Sequence, residues 1–410
     1  MSLSCAFCKT PLEHTFVDLG STPLANRYLT KETLSQPEPC YPLHARLCAK
    51  CLLVQVEPAV SAENLFGEYA YFSSYSTSWL DHARRFSQEA IERFKLGATS
   101  RVIEIASNDG YLLKNFVAAG VPCLGVEPAR NIAEIARKAG VPTEATFFGK
   151  ETAKRLLAAG GPANLMIANN VLAHVPDIND FVGGFSLLLA QNGVISIEVP
   201  HILKLIEQTQ FDTIYHEHYS YFSFYTLEKM FSAHGLSVFD VAELPTHGGS
   251  LRVWVCRNSI MPPTTAVDKL RQKEAAAGLH SLAGYSGFDS KVKSVCREFK
   301  EFLNLQKQNR RKIVAYGAAA KGNTLLNVCG VNETQISYVC DLSPAKQGHY
   351  LPGSHIQIFS PTKISETKPD FLVILPWNLA PEIMQQMKEI VSWGGQFVTA
   401  IPSLQIRTTA

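Results

Sequence analysis

A repeated alternation of short apolar runs with helical patterns constrains the fold of this chain most strongly. It begins at Ser100, where strand-like runs such as RVIEIAS and PCLGVEP alternate with helical patterns such as NIAEIARKAG. The alternation restarts at RKIVAYGAAAKGN and continues through FLVILP and GGQFVTAIP. Strands separated by helices are typical of βαβ units with a parallel sheet. The sequence therefore predicts an α/β protein with two Rossmann-like units, the first closed by an antiparallel ribbon over SVFDVAELP and SLRVWVCR.

Shifts in composition divide the 410 residues into four segments. Such a length accommodates two or three domains of roughly 100–200 residues each. We predict a short-stranded, turn-rich module at 1–58, a central Rossmann-like domain at 59–262, a helical linker at 263–310 and a C-terminal Rossmann-like domain at 311–410. A formal net charge of +2 gives no reason to expect nucleic acid or an acidic membrane as a partner. No apolar stretch approaches the roughly 18 residues of a membrane helix.

Two pairs of cysteines in the first segment have the spacing of a metal site. Cys5 and Cys8 form one CxxC pair, and Cys48 and Cys51 form the other. Two intervening residues allow a tight turn to direct both thiolates at one ion, and two such turns complete a closed tetrahedral shell. A closed shell leaves no position for water, so we expect a structural Zn²⁺ that stabilises a module with a small core. Four unconnected thiols or a redox-active pair are the alternatives.

The use of cysteine also indicates a compartment. The chain carries ten cysteines, and the segment from Met1 to Lys9 contains two of them and no apolar run. Such a segment does not resemble a secretory signal. We therefore expect reduced thiols and a cytoplasmic location.

A turn of small and polar residues after the first central strand is typical of a nucleoside site. The turn ends at Gly110, and Glu127 closes the next strand, where an acidic residue can bind ribose hydroxyl groups. The GxGxxG spacing of a pyrophosphate site is absent, and the acidic Asp109 suits a sulfonium amino acid better than a diphosphate. We therefore predict S-adenosylmethionine as the cofactor. The candidate cofactor-binding residues are Glu104, Ala106, Asn108, Gly110, Glu127 and Asn169.

The segment YHEHYSYFS, residues 215–223, contains two histidines, a carboxylate and three tyrosines. Clustered titratable groups beside a cofactor site favour proton transfer. A metal site is disfavoured because residues this close in sequence do not converge on one helix face. A second polar cluster, THGGSLR, offers His247, Ser250 and Arg252, of which Arg252 could hold a phosphate. The aromatic segment 69–75 is either a substrate wall or a stripe that packs between domains.

The second Rossmann-like unit has its own turn, GAAAKGNT, after the strand KIVAY. A P-loop is excluded because Asn323 stands where the lysine must be. The turn reads G-x-A-x-x-G, with Ala319 at the second glycine position, and Asp341 closes the next strand. This pattern predicts a nucleotide-shaped ligand near Gly317, Lys321 and Asn323. A degenerate unit kept for packing is the alternative.

Together these motifs resemble the sugar C-methyltransferases that act on nucleotide-linked keto-deoxysugars. The resemblance spans essentially the whole chain and rests on the CxxC pairs around LGSTPLAN, then YFSSYS, EIASNDG, HVPD, EVPH, YHEHYSYFS, HGGSLR and GAAAKGNT. It implies a zinc-binding N-terminal domain, a central S-adenosylmethionine-dependent methyltransferase domain and a C-terminal Rossmann-like domain. It also implies a thymidine-diphosphate (dTDP) 4-keto-6-deoxysugar substrate, with C3 as the expected position, and we expect a monomer. Ala106 departs from the family, whose loop usually has glycine there, and its methyl group narrows the approach to the cofactor.

The resemblance and the residue chemistry together imply a mechanism. A base removes the proton from the carbon beside the ketone, and the resulting enolate attacks the sulfonium methyl group. We assign His218 as the base, with Glu217 orienting it or relaying the proton. Tyr215, His174 and Tyr69 are the expected partners of the enolate or of a hydroxyl group.

Three other readings stay open at this point. An O-methyltransferase acting on a sugar hydroxyl group needs a base but no enolate. A non-catalytic protein that binds nucleotide sugars could retain the methyltransferase fold, although the intact HEH segment argues against it. The C-terminal unit could also be a nicotinamide-dependent dehydrogenase domain.

Overall fold

The paired cysteines belong to a small antiparallel sheet at the N-terminal end of the chain. The computed structural model describes residues 3–61, 63, 65, 74, 77–258 and 260–408. Three strands that follow one another in the chain begin this sheet: β1 (His14–Thr22), β2 (Tyr41–Leu47) and β3 (Val54–Val56). A fourth strand, β9 (Ser220–Tyr221), comes from the middle of the chain and pairs with β3. The cysteine module therefore shares its sheet with the segment that carries the clustered histidines.

The central sheet contains the first predicted βαβ run. Its strands are β4 (Val102–Ile105), β5 (Cys123–Val126), β6 (Thr143–Glu144), β7 (Ala163–Asn169), β8 (Leu189–Pro200), β10 (Leu236–Leu244) and β11 (Ser250–Arg257). Among the described residues they lie in the order β10-β11-β8-β7-β4-β5-β6. Strands β4 to β8 are parallel to one another, whereas β10 and β11 form a hairpin in which β11 pairs antiparallel with β8. The hairpin confirms the predicted antiparallel ribbon.

Helices cover both faces of the central sheet, so its strands read as unbroken apolar runs. The helices are α1 (Thr77–Phe94), α2 (Leu113–Ala118), α3 (Arg130–Lys138), α4 (Lys150–Gly160), α5 (Ile178–Leu188), α6 (Ile202–Glu207) and α7 (Phe224–Ser232). Each turns an apolar face inward, as α3 does with Ile132 and Ala136. The helix predicted over NDGYLLKNFVAAG begins only at Leu113. The preceding turn contains Asn108 and Gly110 at positive φ, 49° and 80°, and a helix cannot include these conformations.

The second predicted βαβ run forms a separate sheet. Its strands are β12 (Ile313–Tyr316), β13 (Val339–Cys340), β14 (Ile358–Phe359), β15 (Phe371–Ile374), β16 (Gln396–Thr399) and β17 (Gln405–Arg407). They lie in the order β14-β13-β12-β15-β16-β17, parallel except for β17. The remaining helices are α8 (Thr265–Ala276), α9 (Phe288–Gln308), α10 (Ala320–Cys329), α11 (Thr362–Thr367) and α12 (Ala380–Gln386).

Shared apolar cores join the three units. One core combines the cysteine module with α9 and the C-terminal sheet, and the rings of Phe16 and Phe288 stack within it 4.6 Å apart. Another combines the cysteines with the central sheet and with α7, where Phe224 is fully buried. The interface where the three units meet holds the predicted site. None of the described helices combines the length and the apolar character that a membrane crossing requires.

Candidate active site and metal centre

The four cysteine sulfur atoms form one compact cluster, all within 4.8 Å of one another. Sγ of Cys5 lies 3.5 Å from Sγ of Cys51, and Sγ of Cys8 lies 3.4 Å from Sγ of Cys48. A tetrahedral site with metal–sulfur bonds of about 2.3 Å has edges of about 3.8 Å. The sulfur positions therefore fit a closed, structural Zn²⁺ shell, as the spacing predicts.

The two CxxC pairs adopt the same turn. The N–H of Lys9 donates to the carbonyl of Cys5 at 3.0 Å, and the N–H of Leu52 donates to that of Cys48 at 3.0 Å. Lys9 and Leu52 have φ values of 61° and 62°. This left-handed conformation costs a residue with a side chain roughly 1–2 kcal/mol. Binding one ion between the two turns offsets this cost.

Gln55 connects the metal cluster to the histidine segment. Its side-chain amide donates to Sγ of Cys5 at 3.3 Å. Its backbone lies in β3, directly opposite Ser220 of β9. The metal module thereby fixes the start of the strand that follows His218.

Three carboxyl groups converge at the C-terminal edge of the central sheet. Glu104 lies in β4, Asp109 in the turn that follows it, and Glu127 directly after β5. Glu127 accepts the N–H groups of Asn108 and Ala129, both at 2.9 Å. Burial raises the pKa of Glu104 well above its ordinary value, and the neighbouring charges of Glu127 and Asp109 raise it further. Burial also raises the pKa of Glu127.

These acceptors fit S-adenosylmethionine. Among the described residues, Oε2 of Glu104, Oδ1 of Asp109 and Oδ1 of Asn169 are buried without a hydrogen-bond partner. Buried polar atoms are normally paired, and carboxyl groups this close together favour a positively charged ligand. The cofactor offers an ammonium group, a sulfonium centre and ribose hydroxyl donors.

The turn after β4, which contains the predicted cofactor-binding residues, approaches its neighbours closely. Ala106 has a φ of 54°, and its N–H donates to the carbonyl of Val126 at 2.7 Å. A Cβ at Gly125 would lie 2.3 Å from Oγ of Ser107, so this position requires glycine. Ala106 thus adopts a backbone conformation that favours glycine, at the position where the sequence departs from the family pattern.

His218 lies at the centre of the histidine segment and is 9% exposed. Its Nδ1 donates to the carbonyl of Thr213 at 2.9 Å, because a carbonyl oxygen can only accept. Its Nε2 therefore carries a lone pair, which accepts the hydroxyl of Tyr215 at 2.7 Å. Burial lowers the pKa of His218 well below its ordinary value, and nearby His174 lowers it further. The imidazole is thus neutral at pH 7, with the lone pair on Nε2 directed at Tyr215.

Two further predicted residues adjoin this pair. The rings of His174 and His218 meet edge to face, with centroids 4.6 Å apart, and burial lowers the pKa of His174 to about 4. Glu217 accepts a hydrogen bond from the side-chain amide of Asn26 at 2.7 Å. The carbonyl of Thr213 fixes the ring of His218. Tyr69, predicted to join them, lies outside the described residues.

Lys321 reaches this site from the C-terminal unit. It lies in the first turn of α10, and its Nζ donates to the carbonyl of His247 at 3.3 Å. Its ammonium also lies 5.2 Å from the ring centroid of Trp377. The indole N–H of Trp377 donates to Oδ2 of Asp212 at 2.8 Å. Burial raises the pKa of Asp212 to about 6, although Lys321 lowers it.

Comparison with known proteins assigns the chain to a family. Residues 5–66 match a zinc binding domain, residues 79–241 a methyltransferase domain, and residues 245–402 the C-terminal domain of C-methyltransferases. C-methyltransferase NovU from Streptomyces niveus is 35% identical over 394 residues, which cover 95% of this chain and 93% of that protein. The chain belongs to this C-methyltransferase family. It is an S-adenosylmethionine-dependent methyltransferase with a zinc-binding module.

Solved structures show weaker likeness. Magnesium protoporphyrin IX methyltransferase from Synechocystis PCC 6803, with bound S-adenosylhomocysteine, is 14% identical, with a TM-score of 0.35 over 44% of this chain and 83% of that chain. An S-adenosylmethionine-dependent methyltransferase from Clostridium acetobutylicum is 12% identical, with a TM-score of 0.35 over 43% of this chain and 92% of that chain. Scores this low support no conclusion about this C-methyltransferase.

The residues of the polar cluster THGGSLR serve two purposes in this C-methyltransferase: one faces the site, and the others make internal contacts. His247 faces the site, and burial lowers its pKa to about 4. Arg252 donates through Nε to Glu198 at 2.8 Å, and Glu198 is fully buried. Ser250 donates to the carbonyl of Thr246 at 2.9 Å. The guanidinium of Arg252 is thus engaged in an internal ion pair, although the sequence suggests phosphate binding.

The C-terminal turn makes similar internal contacts. Gly317 packs so closely on Pro376 that a Cβ would lie 2.4 Å from its Cδ. The side-chain amide of Asn323 donates to the carbonyl of Ala25 at 2.5 Å. Of the three residues predicted to bind a ligand there, Lys321 alone extends toward the histidine segment in the described structure.

Sequence reasoning missed several residues that position this site. They are Asn26, Asp212, Thr213 and Trp377. Trp377 follows strand β15 at the C-terminal edge of a parallel sheet, where functional side chains are expected, so that rule could have found it. Asp212 and Thr213 precede the histidine segment, but nothing local marks them. Asn26 lies in the motif LGSTPLAN, far from Glu217 in sequence.

Proposed function

We propose that this C-methyltransferase acts on a dTDP-linked 4-keto-6-deoxysugar and methylates the ring carbon beside the ketone, C3. The observation that carries the proposal is the pair of Tyr215 and His218, in which a buried, neutral imidazole accepts a hydrogen bond from a phenol at 2.7 Å. A carbon beside a ketone is weakly acidic and loses its proton only to a positioned base. The nucleotide-sugar class is supported by the family motifs in the sequence.

The pair can remove this proton by a relay. The C–H bond breaks as its proton moves to the phenol oxygen of Tyr215, while the phenol proton moves to Nε2 of His218. The electron pair of the C–H bond moves into the ring, and the ketone becomes an enolate. The hydrogen bond from Nδ1 to Thr213 holds the imidazole ring and stabilises the imidazolium that forms.

The candidate cofactor site lies at the C-terminal edge of the central sheet, where β7 leads into His174, which contacts His218. S-adenosylmethionine, when bound, supplies the electrophilic methyl group that the nucleophilic carbon takes up. Glu127 would hold the ribose hydroxyl groups, and Glu104 would face the cationic methionine end. Asn169, at the end of β7, would offer its amide oxygen to the ligand.

The sugar would lie between the histidine segment and the C-terminal unit. His174 and Tyr215 would contact its oxygen atoms, and His247 and Lys321 would line the opposite side. Glu217, bound to Asn26, would orient a hydroxyl group of the sugar or relay a proton. We assign Ser250, Arg252, Gly317 and Asn323 to the framework that holds these residues.

The test is a methyl-transfer assay with a panel of dTDP-linked 4-keto-6-deoxysugars, read by mass spectrometry. We expect the gain of one methyl group. With S-adenosylhomocysteine in place of the cofactor and deuterium oxide as solvent, we expect one deuterium at the carbon beside the ketone. Methylation at a hydroxyl group without exchange would indicate O-methylation instead. No transfer to any sugar of the panel, with the cofactor bound, would contradict the proposed substrate class.

A further inference from the structure

We propose that Lys321 is a catalytic residue that donates its ammonium to the substrate oxygen on which negative charge develops when Tyr215 and His218 remove the proton. The C-terminal unit would then contribute to the chemistry as well as to binding. This inference rests on the proposed function and assigns the group that stabilises the enolate.

The position of the ammonium is the first argument. Lys321 is partly exposed at the interface of the units, so a ligand can reach it. Its Nζ lies 3.3 Å from the carbonyl of His247, in the polar cluster that adjoins the histidine segment. Its charge lowers the pKa of both His218 and His247, in addition to the effect of burial. The ammonium can therefore act on negative charge that develops on a substrate held between these residues.

The hydrogen bonding of Lys321 is the second argument. An ammonium group has three donors. In the described part of the chain its acceptors are the His247 carbonyl at 3.3 Å and Oδ1 of Asn378 at 3.4 Å, both long contacts. No carboxylate of the described residues lies within ion-pair distance of Nζ. The ammonium therefore keeps the capacity for a short, strong bond to a further acceptor.

The surroundings hold this ammonium in place. Trp377 lies beneath it, fixed by its bond to Asp212. The indole also packs against Gly248, where a Cβ would lie 2.4 Å from its Cη2. Burial lowers the pKa of Lys321, and the charge of the fully buried Asp212 acts against this shift without a direct contact, which favours the ammonium form. A preorganised donor of this kind stabilises charge that develops during a reaction.

The balance of charge is the third argument. Before reaction, the site holds the ammonium of Lys321 and a neutral His218. After proton removal, it holds two cations, the imidazolium and the ammonium, together with one enolate. The enolate thus offsets the repulsion that a protonated His218 would otherwise feel from Lys321.

The test separates deprotonation from binding. Wild type, Lys321→Met and Lys321→Arg are compared in deuterium oxide with saturating dTDP-4-keto-6-deoxysugar and S-adenosylhomocysteine. We expect Lys321→Met to slow exchange at the ring carbon by about 100-fold or more. Its dissociation constant for the sugar nucleotide should change by only a few fold, and Lys321→Arg should recover part of the rate. Lys346→Met is the matched control, because it removes a cation bound to the carbonyl of Ala318 in the same unit and should exchange like wild type.

The outcomes are distinct. Exchange by Lys321→Met at the wild-type rate, in a wild type that methylates the sugar, would overturn this inference alone. A loss of affinity with an unchanged rate at saturation would overturn it too, since it would indicate a binding role. Wild-type protein that neither exchanges nor methylates the keto-sugar would overturn the proposed function and this inference with it. If Lys321→Met does not fold, Lys321→Gln and the Lys321→Arg rate decide the question.

Discussion

The two Rossmann-like units of this C-methyltransferase begin with the same local design and differ in what covers it. In each, a carboxylate at the tip of the second strand accepts a backbone N–H from the turn after the first strand. Glu127 accepts that of Asn108 at 2.9 Å, and Asp341 accepts that of Ala318 at 2.8 Å.

The difference lies in the side chains around each turn. The central turn is surrounded by buried acceptors that lack partners among the described residues, such as Oε2 of Glu104. At the C-terminal turn, the carbonyl of Ala318 accepts the hydroxyl of Tyr28 at 2.6 Å and Nζ of Lys346 at 2.7 Å. Groups of the chain itself thus satisfy this carbonyl. A strand–turn–helix signature therefore predicts backbone geometry, whereas side chains distant in sequence decide which polar groups of the turn are already paired.

The largest effect is expected for the proposed base, His218, which belongs to the central unit. His218→Asn should lower kcat by about 100-fold to 10,000-fold, because general base catalysis contributes about that much. The dissociation constant for S-adenosylmethionine should stay unchanged by calorimetry. His216→Asn is the matched control, since His216 faces the carbonyls of Tyr41 and Pro42. A His218→Asn enzyme with wild-type turnover would remove the base assignment.

The comparison of the two turns is tested most sharply by matched strand-tip variants. Glu127→Gln should weaken S-adenosylmethionine binding by about 10-fold to 100-fold, because it removes charge-assisted hydrogen bonds to the ligand. Asp341→Asn should leave this affinity unchanged. Isothermal calorimetry on both variants measures the difference. Equal losses in the two variants would contradict the assignment of the cofactor to the central turn.

A smaller effect is expected at the junction of the two units. Since burial raises the pKa of Asp212 to about 6, the folded state favours the protonated form over the ionised one. The ionised carboxylate therefore opposes folding at pH values above its pKa, and this cost disappears as the pH falls below about 4. Asp212→Asn should raise the free energy of unfolding by about 1–3 kcal/mol at pH 7.5 and by less at pH 5. Denaturant unfolding at both pH values measures the change in free energy. A variant that is less stable than wild type at pH 7.5 would contradict the view that ionised Asp212 opposes folding.

The smallest effect is expected at Ala106, the first residue of the turn after β4. The central turn has Ala106 at a φ of 54°, whereas the C-terminal turn has Gly317 at 94°. Ala106→Gly relieves the strain of the left-handed backbone conformation but adds conformational freedom to the unfolded chain. The free energy of unfolding should therefore change by only about 0.5 kcal/mol. The affinity for S-adenosylmethionine should rise by a few fold at most, since a methyl group is removed beside the ligand. A large loss of affinity would show that the methyl group of Ala106 supports the cofactor.

The fold was accessible from the sequence because its signals are local. The period of apolar residues predicted both βαβ runs and the closing hairpin, and the CxxC spacing predicted the cysteine cluster, which the structure confirms. The internal partners of the predicted residues were not accessible. Arg252 meets Glu198 through pairing of β11 with β8, and Asn26 meets Glu217 across 191 residues of chain. Such contacts depend on how sheets and domains pack, which no short window of sequence encodes.

The central claim is that a carbon atom, deprotonated by Tyr215 and His218, receives the methyl group. The most direct measurement uses a dTDP-4-keto-6-deoxysugar that carries deuterium at the ring carbon beside the ketone. After turnover with S-adenosylmethionine, mass spectrometry of the product counts methyl groups and deuterium together. The account predicts one methyl group gained and the deuterium lost to water. A methylated product that retains the deuterium at that carbon would contradict it.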